Sequence, residues 1–332
     1  MTDTASSNAS GVIGATTVWV DAVSGGLGAR IARLIGTHHQ LVRGDASSCD
    51  VAILQPSLDG HIDDQRRQRV ALNVAESIAS LTAARHVVLV SSAMVYGAWE
   101  NNPIPLTEDA VLRPDVEFSF ARDLSVVEEM VDQWRREQPG RSVTVLRPAL
   151  AMAADGTSGL ARALAAGMGQ RRGEEDPPAQ FLHLDDLASA VLVAVDQGLD
   201  GVYNVAPDGW VPGERVRALA GAVPRLKLPD RALEVATNLR WRFQRGPIPP
   251  GLRSYTRWPW LVANDRLRAA GWVPTVTNEQ AYVEGTEAKW WTLISPKRRQ
   301  EISLGALVGL VALAAGVAVA GVRRFQAHRR AR

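Results

Sequence analysis

Lysine is nearly missing from this chain. Of 37 basic residues only Lys227, Lys289 and Lys297 are lysines, so the first 226 positions hold no side-chain ammonium group. Cysteine is scarcer still. Cys49 stands alone, which excludes an internal disulfide and any multi-cysteine metal site, fits a reducing compartment, and reads as a small buried hydrophobe. Net charge is also small, +2 from 37 basic and 35 acidic residues, so local charge matters more than the total. No motif for DNA or RNA binding is present. The opening MTDTASSNASG has no basic region leading into an apolar stretch, so it reads as a disordered lead-in over residues 1–15, not a secretory signal.

Hydrophobic side chains are plentiful, 46% of 332 residues, enough for a large core in one large or two modest domains. One apolar run stands apart. Residues 302–322, ISLGALVGLVALAAGVAVAGV, carry no charge, and 21 residues at 1.5 Å rise span about 31 Å, the thickness of a bilayer core. A buried terminal helix is the alternative. The segment has no polar face and is bracketed by Lys297, Arg298 and Arg299 before it and by five arginines in the tail 323–332, so a transmembrane helix is expected. Gly305 and Gly309 would let two such helices approach closely, and Trp290 and Trp291 suit either the interface or the soluble body. The body is expected on the cytoplasmic side of a single C-terminal anchor, although the positive-inside comparison gives that side no clean support.

Along the chain, apolar runs at 17–20, 40–42, 51–54, 87–90 and 143–146 alternate with helical patterns at about 64–83, 119–137 and 158–168. Between the first two runs, Leu27, Ile31, Leu34 and Ile35 fall on one helical face. Such alternation predicts an α/β fold with a parallel sheet covered on both faces. From about Ala151 the rhythm loosens, through GQRRGEEDPP, then a strand-like run at 181–184 and a helix from about Asp186. The expected organisation is a first domain at 16–150, a smaller lobe at 151–295 partly sharing its sheet and helices, and the span at 302–322.

Residues 20–28, VDAVSGGLG, form a strand, a glycine-bearing turn and the start of a helix, the arrangement that lets backbone approach a pyrophosphate. Two positions depart from it. Ala22 replaces the first glycine and adds a methyl group at the tightest point, while Asp21 replaces a small hydroxyl residue and would repel phosphate if it pointed inward.

Seven segments in order, VSGGLGARIA, DVAILQP, LNVAES, VVLVSSAMVYG, LRPAL, QFLHLDDLASAV and GVYNVAP, resemble the NAD-dependent epimerase/dehydratase family, the extended short-chain dehydrogenase/reductases, over about residues 15–285. The resemblance implies a Rossmann-like doubly wound sheet with a C-terminal substrate lobe, NAD or NADP as cofactor, and often a nucleotide-sugar substrate. It places cofactor contacts at Ala22, Gly25, Gly26, Leu27, Gly28, Arg43, Asp45, Gln55, Ser91 and Pro148.

It also identifies Ser92 as the retained catalytic hydroxyl. Phe120 and Leu124 fall where the family has the tyrosine and lysine of its proton-transfer pair, a phenol made acidic by a neighbouring ammonium. Neither hydrocarbon can pass a proton. Arg122 has the charge but lies about 200° around the helix from Phe120, and Tyr96 belongs to the VYG turn, where packing is expected. The strand end at Gln55–Pro56 is bulkier than the family's and lacks one backbone donor. Only 21 residues separate Gly28 from Asp50, too few for a further strand and helix that the family places there, and that strand would lie at the sheet's edge. Asp45 could hold a ribose, or Arg43 a 2′-phosphate, or both could sit in a solvated loop.

His38 and His39 fall in a turn, and His183 lies beside Asp185 and Asp186, one of which is expected to cap the following helix. No ligand set has metal-binding spacing. Arg240, Arg242, Arg245, Arg253 and Arg257, with Trp241, Trp258 and Trp260, predict a basic aromatic surface suited to a diphosphate, an anionic lipid or the domain's own carboxylates. Three readings remain open. The first is a membrane-tethered, non-catalytic member of the family with cofactor binding weakened or kept, working through partners that include a second copy. The second is an active oxidoreductase or epimerase with another proton donor, and the third a structural membrane protein that binds no nucleotide.

Overall fold

Short runs of β-branched and aliphatic residues become strands and the amphipathic stretches between them become helices. The computed structural model describes residues 16–21, 26–56, 64–169, 175–220 and 251–286, with the side chains of 64–71 excepted. The expected span at 302–322, Trp290, Trp291, all three lysines and the arginines at 240–245 lie outside those residues. Among the described residues no helix is long and apolar enough to cross a membrane.

Six parallel strands form the main sheet, β1 (Thr17–Val20), β2 (Gln40–Val42), β3 (Val51–Leu54), β4 (His86–Val90), β5 (Ser142–Pro148) and, after a two-stranded excursion, β8 (Gly201–Val205). Their order is β2-β1-β3-β4-β5-β8. The chain runs outward from β1 to β2, then crosses back to β3, so the order reverses between β1 and β3. Ligands in open α/β sheets bind at such a switch point, beyond the carboxyl ends of the strands. Among the described residues β2 is the outermost strand on its side, as the short spacing before Asp50 predicts.

β3 and β4 are buried along their whole length, as a sheet covered on both faces requires. Successive residues alternate between two cores. Val88 and Val90 join Ile31 and Ile35 of α1 (Gly26–His38) and Leu187 and Val191 of α5 (Leu184–Asp196). Val87 and Leu89 join Val74 of α2 (Asp64–Ser80) and Val127, Val131 and Trp134 of α3 (Ser119–Glu137). Cys49 is fully buried in the second core, and burial pushes its thiol up to about 11. The α2 pattern stops at Ser80, three residues short of expectation, where Leu81 turns into the core.

The lobe is built on a parallel pair, β6 (Leu150–Met152) and β7 (Phe181–His183), with α4 (Gly159–Gly167), α6 (Gly213–Leu219), α7 (Ser254–Arg257), α8 (Asp265–Ala269) and α9 (Asn278–Gly285). Two buried side chains hold it together. The Asp186 carboxylate accepts from the Thr275 amide at 3.0 Å, the Thr275 hydroxyl at 2.6 Å and the Val276 amide at 3.0 Å. Gln180 donates to the Gly209 and Val262 carbonyls and accepts from the Val262 amide. The expected aromatic surface is only partly realised. Trp260 is 8% exposed and donates to the Tyr255 carbonyl, so it belongs to the core, whereas Arg257 stacks over half-exposed Trp258 at 5.0 Å.

Candidate functional site

The carboxyl ends of β1, β3, β4 and β5 and the N-terminus of α1 bring most of the predicted positions together. Ala22 and Gly25 lie outside the described residues. Gly26, Leu27 and Gly28 open α1, and Leu27 and Gly28 are buried. Asp21, at the end of β1, donates its amide to the Ile53 carbonyl and accepts the Gln55 amide on its carboxylate at 2.9 Å. The Asp21 carboxylate thus ties the ends of β1 and β3 together. It still leaves a negative charge at the switch point.

At the end of β4, Ser91 is fully buried and its hydroxyl donates to Glu128 Oε1 at 2.5 Å. Ser92 caps the 3-10 turn Ala93–Tyr96, its hydroxyl accepting from the Met94 amide at 3.2 Å. Pro148 ends β5, paired in register with Val205. Ser91, Ser92 and Pro148 therefore line one end of the sheet, with Ser91 committed to the interior.

Phe120 and Leu124 lie one turn apart on α3, adjoining on one face. Leu124 is 1% exposed, while Phe120 is half-buried against the first core. The Phe120 ring stands 5.8 Å from Phe118, Phe118 stands 5.4 Å from Tyr255, and Tyr255 stands 5.7 Å from Trp260. Hydrocarbon and aromatic packing thus fills the place where the resemblance puts a charged pair. The chain's four tyrosines offer no replacement. The Tyr96 hydroxyl donates to Asn204 and receives Arg147, and Tyr255 donates to the Met94 carbonyl at 2.7 Å. Tyr203 reaches the Asp200 carbonyl, and the Tyr282 ring packs edge-on to Phe181. Burial pushes the phenols of Tyr96, Tyr255 and Tyr282 up, the opposite of what a proton-transfer tyrosine needs.

One turn beyond Leu124, Glu128 meets Arg147 of β5 in a two-pronged ion pair, at 2.7 Å and 3.2 Å, with both residues under 10% exposed. Arg147 also lies 4.8 Å over the Tyr96 ring. This network, Ser91–Glu128–Arg147–Tyr96–Asn204, was not expected. The acid lies four residues after Leu124 in the sequence, but nothing local names its partner in β5.

A second unexpected cluster sits at the N-terminus of α1. Arg30, 9% exposed, bonds Asp185 through Nε at 2.5 Å, Asp155 at 2.5 Å and the Gly26 carbonyl at 2.8 Å. Burial opposes its charge, but the bonds to Asp155 and Asp185 outweigh that and raise its pKa. The same bond and charge hold the Asp155 carboxyl below its usual range. The loop carrying Asp155 rests directly on α1, for a Cβ on Gly26 would come within 2.5 Å of the Gly156 Cα, and Gly156 itself has φ +94°.

Asp45 caps the 3-10 turn Ala46–Ser48, accepting from the Ser47 amide at 3.1 Å and hydroxyl at 2.5 Å, with the carboxylate exposed. Arg43, just beyond β2, is exposed. The cap of α5 is neither Asp185 nor Asp186 but His183, whose Nδ1 accepts the Asp185 amide at 3.2 Å while Nε2 faces Glu284 at 3.2 Å. The buried imidazole satisfies the Asp185 amide in the first turn, and Asp186 is drawn away to the 275–276 backbone. His39 follows α1 directly and reaches Asp196 through Nε2 at 2.7 Å. Among the described residues no group of three or more His, Cys, Asp or Glu could hold a metal ion.

For a dinucleotide, the described residues provide a glycine at the first position of α1, packed directly against the Gly156 backbone, and Arg43 just beyond β2. They fit such a group, with Asp21 and the Asp155 loop as neighbours.

Residues 63–206 match the NAD dependent epimerase/dehydratase family. Uncharacterised proteins of Mycobacterium tuberculosis and Mycobacterium bovis are 25% identical over 241 residues, 72% of this chain and 64% of theirs, so the match spans under two thirds of those relatives. Among solved structures, UDP-glucose 4-epimerase of Thermus thermophilus in complex with NAD is similar with TM-score 0.56 and 16% identity, over 81% of this chain and 97% of that one. RMD from Pseudomonas aeruginosa, complexed with NADPH, gives 0.55 and 19% over 81% and 97%. A human epimerase family protein with NADPH gives 0.57 and 16% over 81% and 98%. At these identities the likeness is one of fold. Residues 63–206 thus resemble the NAD dependent epimerase/dehydratase family in sequence, and 81% of the chain shares the fold of the solved epimerases.

Proposed function

We propose that this protein is a non-catalytic nicotinamide-dinucleotide-binding module, taking NADP in preference to NAD and held at a membrane by residues 302–322. One observation carries the reading. The two positions that would move a proton hold hydrocarbon, Leu124 buried in the core and Phe120 half-buried against it, and the buried phenols are shifted away from acidity. A bound dinucleotide supplies hydride chemistry, which is productive only beside a proton donor. In this chain the residues around it bind and orient.

The glycine start of α1 at the switch point supports dinucleotide binding, as do structural neighbours whose crystals hold NAD or NADPH. Exposed Arg43 after β2, with Asp45 occupied in its own cap, supports a 2′-phosphate over a free ribose hydroxyl. The charge-free run bracketed by basic residues supports the tether, with the body on the cytoplasmic side. A second reading, an oxidoreductase or epimerase with another proton donor, has retained Ser92 in its favour.

The test uses the full chain in detergent. NADPH fluorescence should show saturable binding, tighter than NADH, with no NADPH oxidation and no interconversion of UDP-glucose and UDP-galactose. Turnover would replace the non-catalytic reading with the second, and absence of binding to either nucleotide would remove the dinucleotide.

A further inference from the structure

The Arg30 cluster has a bearing on that site. The loop 153–158 runs from β6 to α4 and crosses the N-terminus of α1, where its Gly156 backbone touches Gly26. It is braced as a unit. The Thr157 hydroxyl accepts the Ala153 amide at 2.9 Å and donates to the Ala153 carbonyl, Ser158 caps α4 through the Ala161 amide, and Arg162 donates to the Thr157 carbonyl at 2.6 Å. Only one side chain on α1 grips it. Arg30 holds Asp155 by side chain and backbone carbonyl, and holds Asp185 at the start of α5 with its other edge. The guanidinium is 10% exposed, whereas the Asp155 carboxylate is 83% exposed.

A pyrophosphate approaching the first turn of α1 meets this loop before it meets the helix amides. It carries the same charge as Asp155 and is recognised by the same guanidinium fork. We infer that the loop 153–158 is a latch over the dinucleotide site, closed by Arg30–Asp155, and that a nicotinamide dinucleotide opens it by taking Arg30 from Asp155 with its diphosphate. The inference rests on the dinucleotide reading above. Arg30 then serves twice, as the keeper of the closed form and as a diphosphate ligand of the open one. Asp185 stays on the far edge of the guanidinium in both and fixes its direction. Because Asp155 is exposed, the closed form is sensitive to salt.

Apparent affinity falls in proportion to the fraction of molecules that are open. If the latch leaves about a tenth of them open, releasing it tightens NADPH binding about tenfold. Two variants release it differently. Asp155→Asn removes the ion pair and a negative charge, while Gly156→Ala changes no charge and sets a methyl group against Leu184 and Gly26 in a backbone conformation alanine avoids.

NADPH fluorescence titrations of the full chain and both variants in detergent decide it, with hydrogen exchange followed across 153–158. Tighter binding by both variants, and faster exchange of the loop in the wild type when NADPH is added, is the expected result. Tightening by Asp155→Asn alone, with no change in loop exchange, reduces the effect to charge and overturns the latch. Equal binding by all three also overturns it while leaving the dinucleotide reading intact. No binding by any of the three removes both.

Discussion

Glu128 and Arg147 close on each other inside the protein, joining the helix that carries Phe120 and Leu124 to the strand that ends at Pro148. Removing one partner of a buried pair leaves a bare charge, which costs about 3–5 kcal/mol. Glu128→Ala should therefore lower stability by that amount in urea denaturation, and Arg147→Met similarly. The double variant Glu128→Leu with Arg147→Met should recover much of the loss, and additive losses would contradict the pairing.

The two catalytic positions should respond differently to repair. Phe120 is half-buried, and a hydroxyl at its ring edge can reach solvent, so Phe120→Tyr should change stability by less than about 1 kcal/mol. Leu124 is buried and Glu128, one turn along, is already paired with Arg147, so Leu124→Lys should cost about 3 kcal/mol or more, and more at low pH where the amine must charge. Thermal unfolding of both single variants at pH 6 and pH 9 checks this.

Arg43 should sort the two nucleotides. A hydrogen bond to a charged group is worth about 1.5–3 kcal/mol, so Arg43→Ala should weaken NADPH by about ten- to a hundredfold and leave NADH unchanged. Equal weakening of both would place Arg43 elsewhere than at the 2′-phosphate.

His86 sets an acid limb. Burial pushes its pKa down from 6.5 to about 4, and its Nε2 faces the Thr144 hydroxyl at 2.8 Å. The folded form keeps the ring neutral while the unfolded chain protonates it, so the protein is at full stability above pH 6.5 and loses it as pH falls toward 4. The loss is on the order of 3 kcal/mol. His86→Gln should flatten that limb in urea midpoints taken between pH 7 and pH 4.

Membrane attachment has a direct check. The full chain should sediment with vesicles and resist carbonate extraction, whereas a chain ending at 301 should stay in the supernatant. If the body is cytoplasmic, a single span puts an epitope after 332 on the opposite face, so protease added to the cytoplasmic side of sealed vesicles should spare it until the bilayer is opened.

Much of this fold can be read from one dimension because its signals are local. The runs at 51–54 and 86–90 are long enough to be buried on both sides, and Leu27, Ile31 and Ile35 repeat at helical spacing. The absent outer strand follows from counting residues between Gly28 and Asp50. The hydrocarbons at Phe120 and Leu124 are equally legible, and the segments SSAMVYG and LRPAL on either side of them are what set their register in the resemblance. What is hidden depends on distant partners. Arg30 finds Asp155 and Asp185, 125 and 155 residues away, and no property of an arginine in an amphipathic helix announces them. Asp186 resembles a cap by position, but the 275–276 backbone claims it, and the cap falls to His183. Trp260 looks like surface beside so many arginines, but it packs on Tyr255, which is itself held by Phe118 and by the Met94 carbonyl 161 residues back.

The order of the strands also fixes an order in time. β8 pairs with β5 and ends at Val205, so the sheet has all six strands once that residue has been made. The apolar run begins 97 residues later, at 302. At about 5–20 residues per second, synthesis of that interval takes roughly 5–20 s, and domains fold as units, N-terminal first. The sheet is therefore assembled before that run is made, so whatever the run does is done by a chain whose body has already folded.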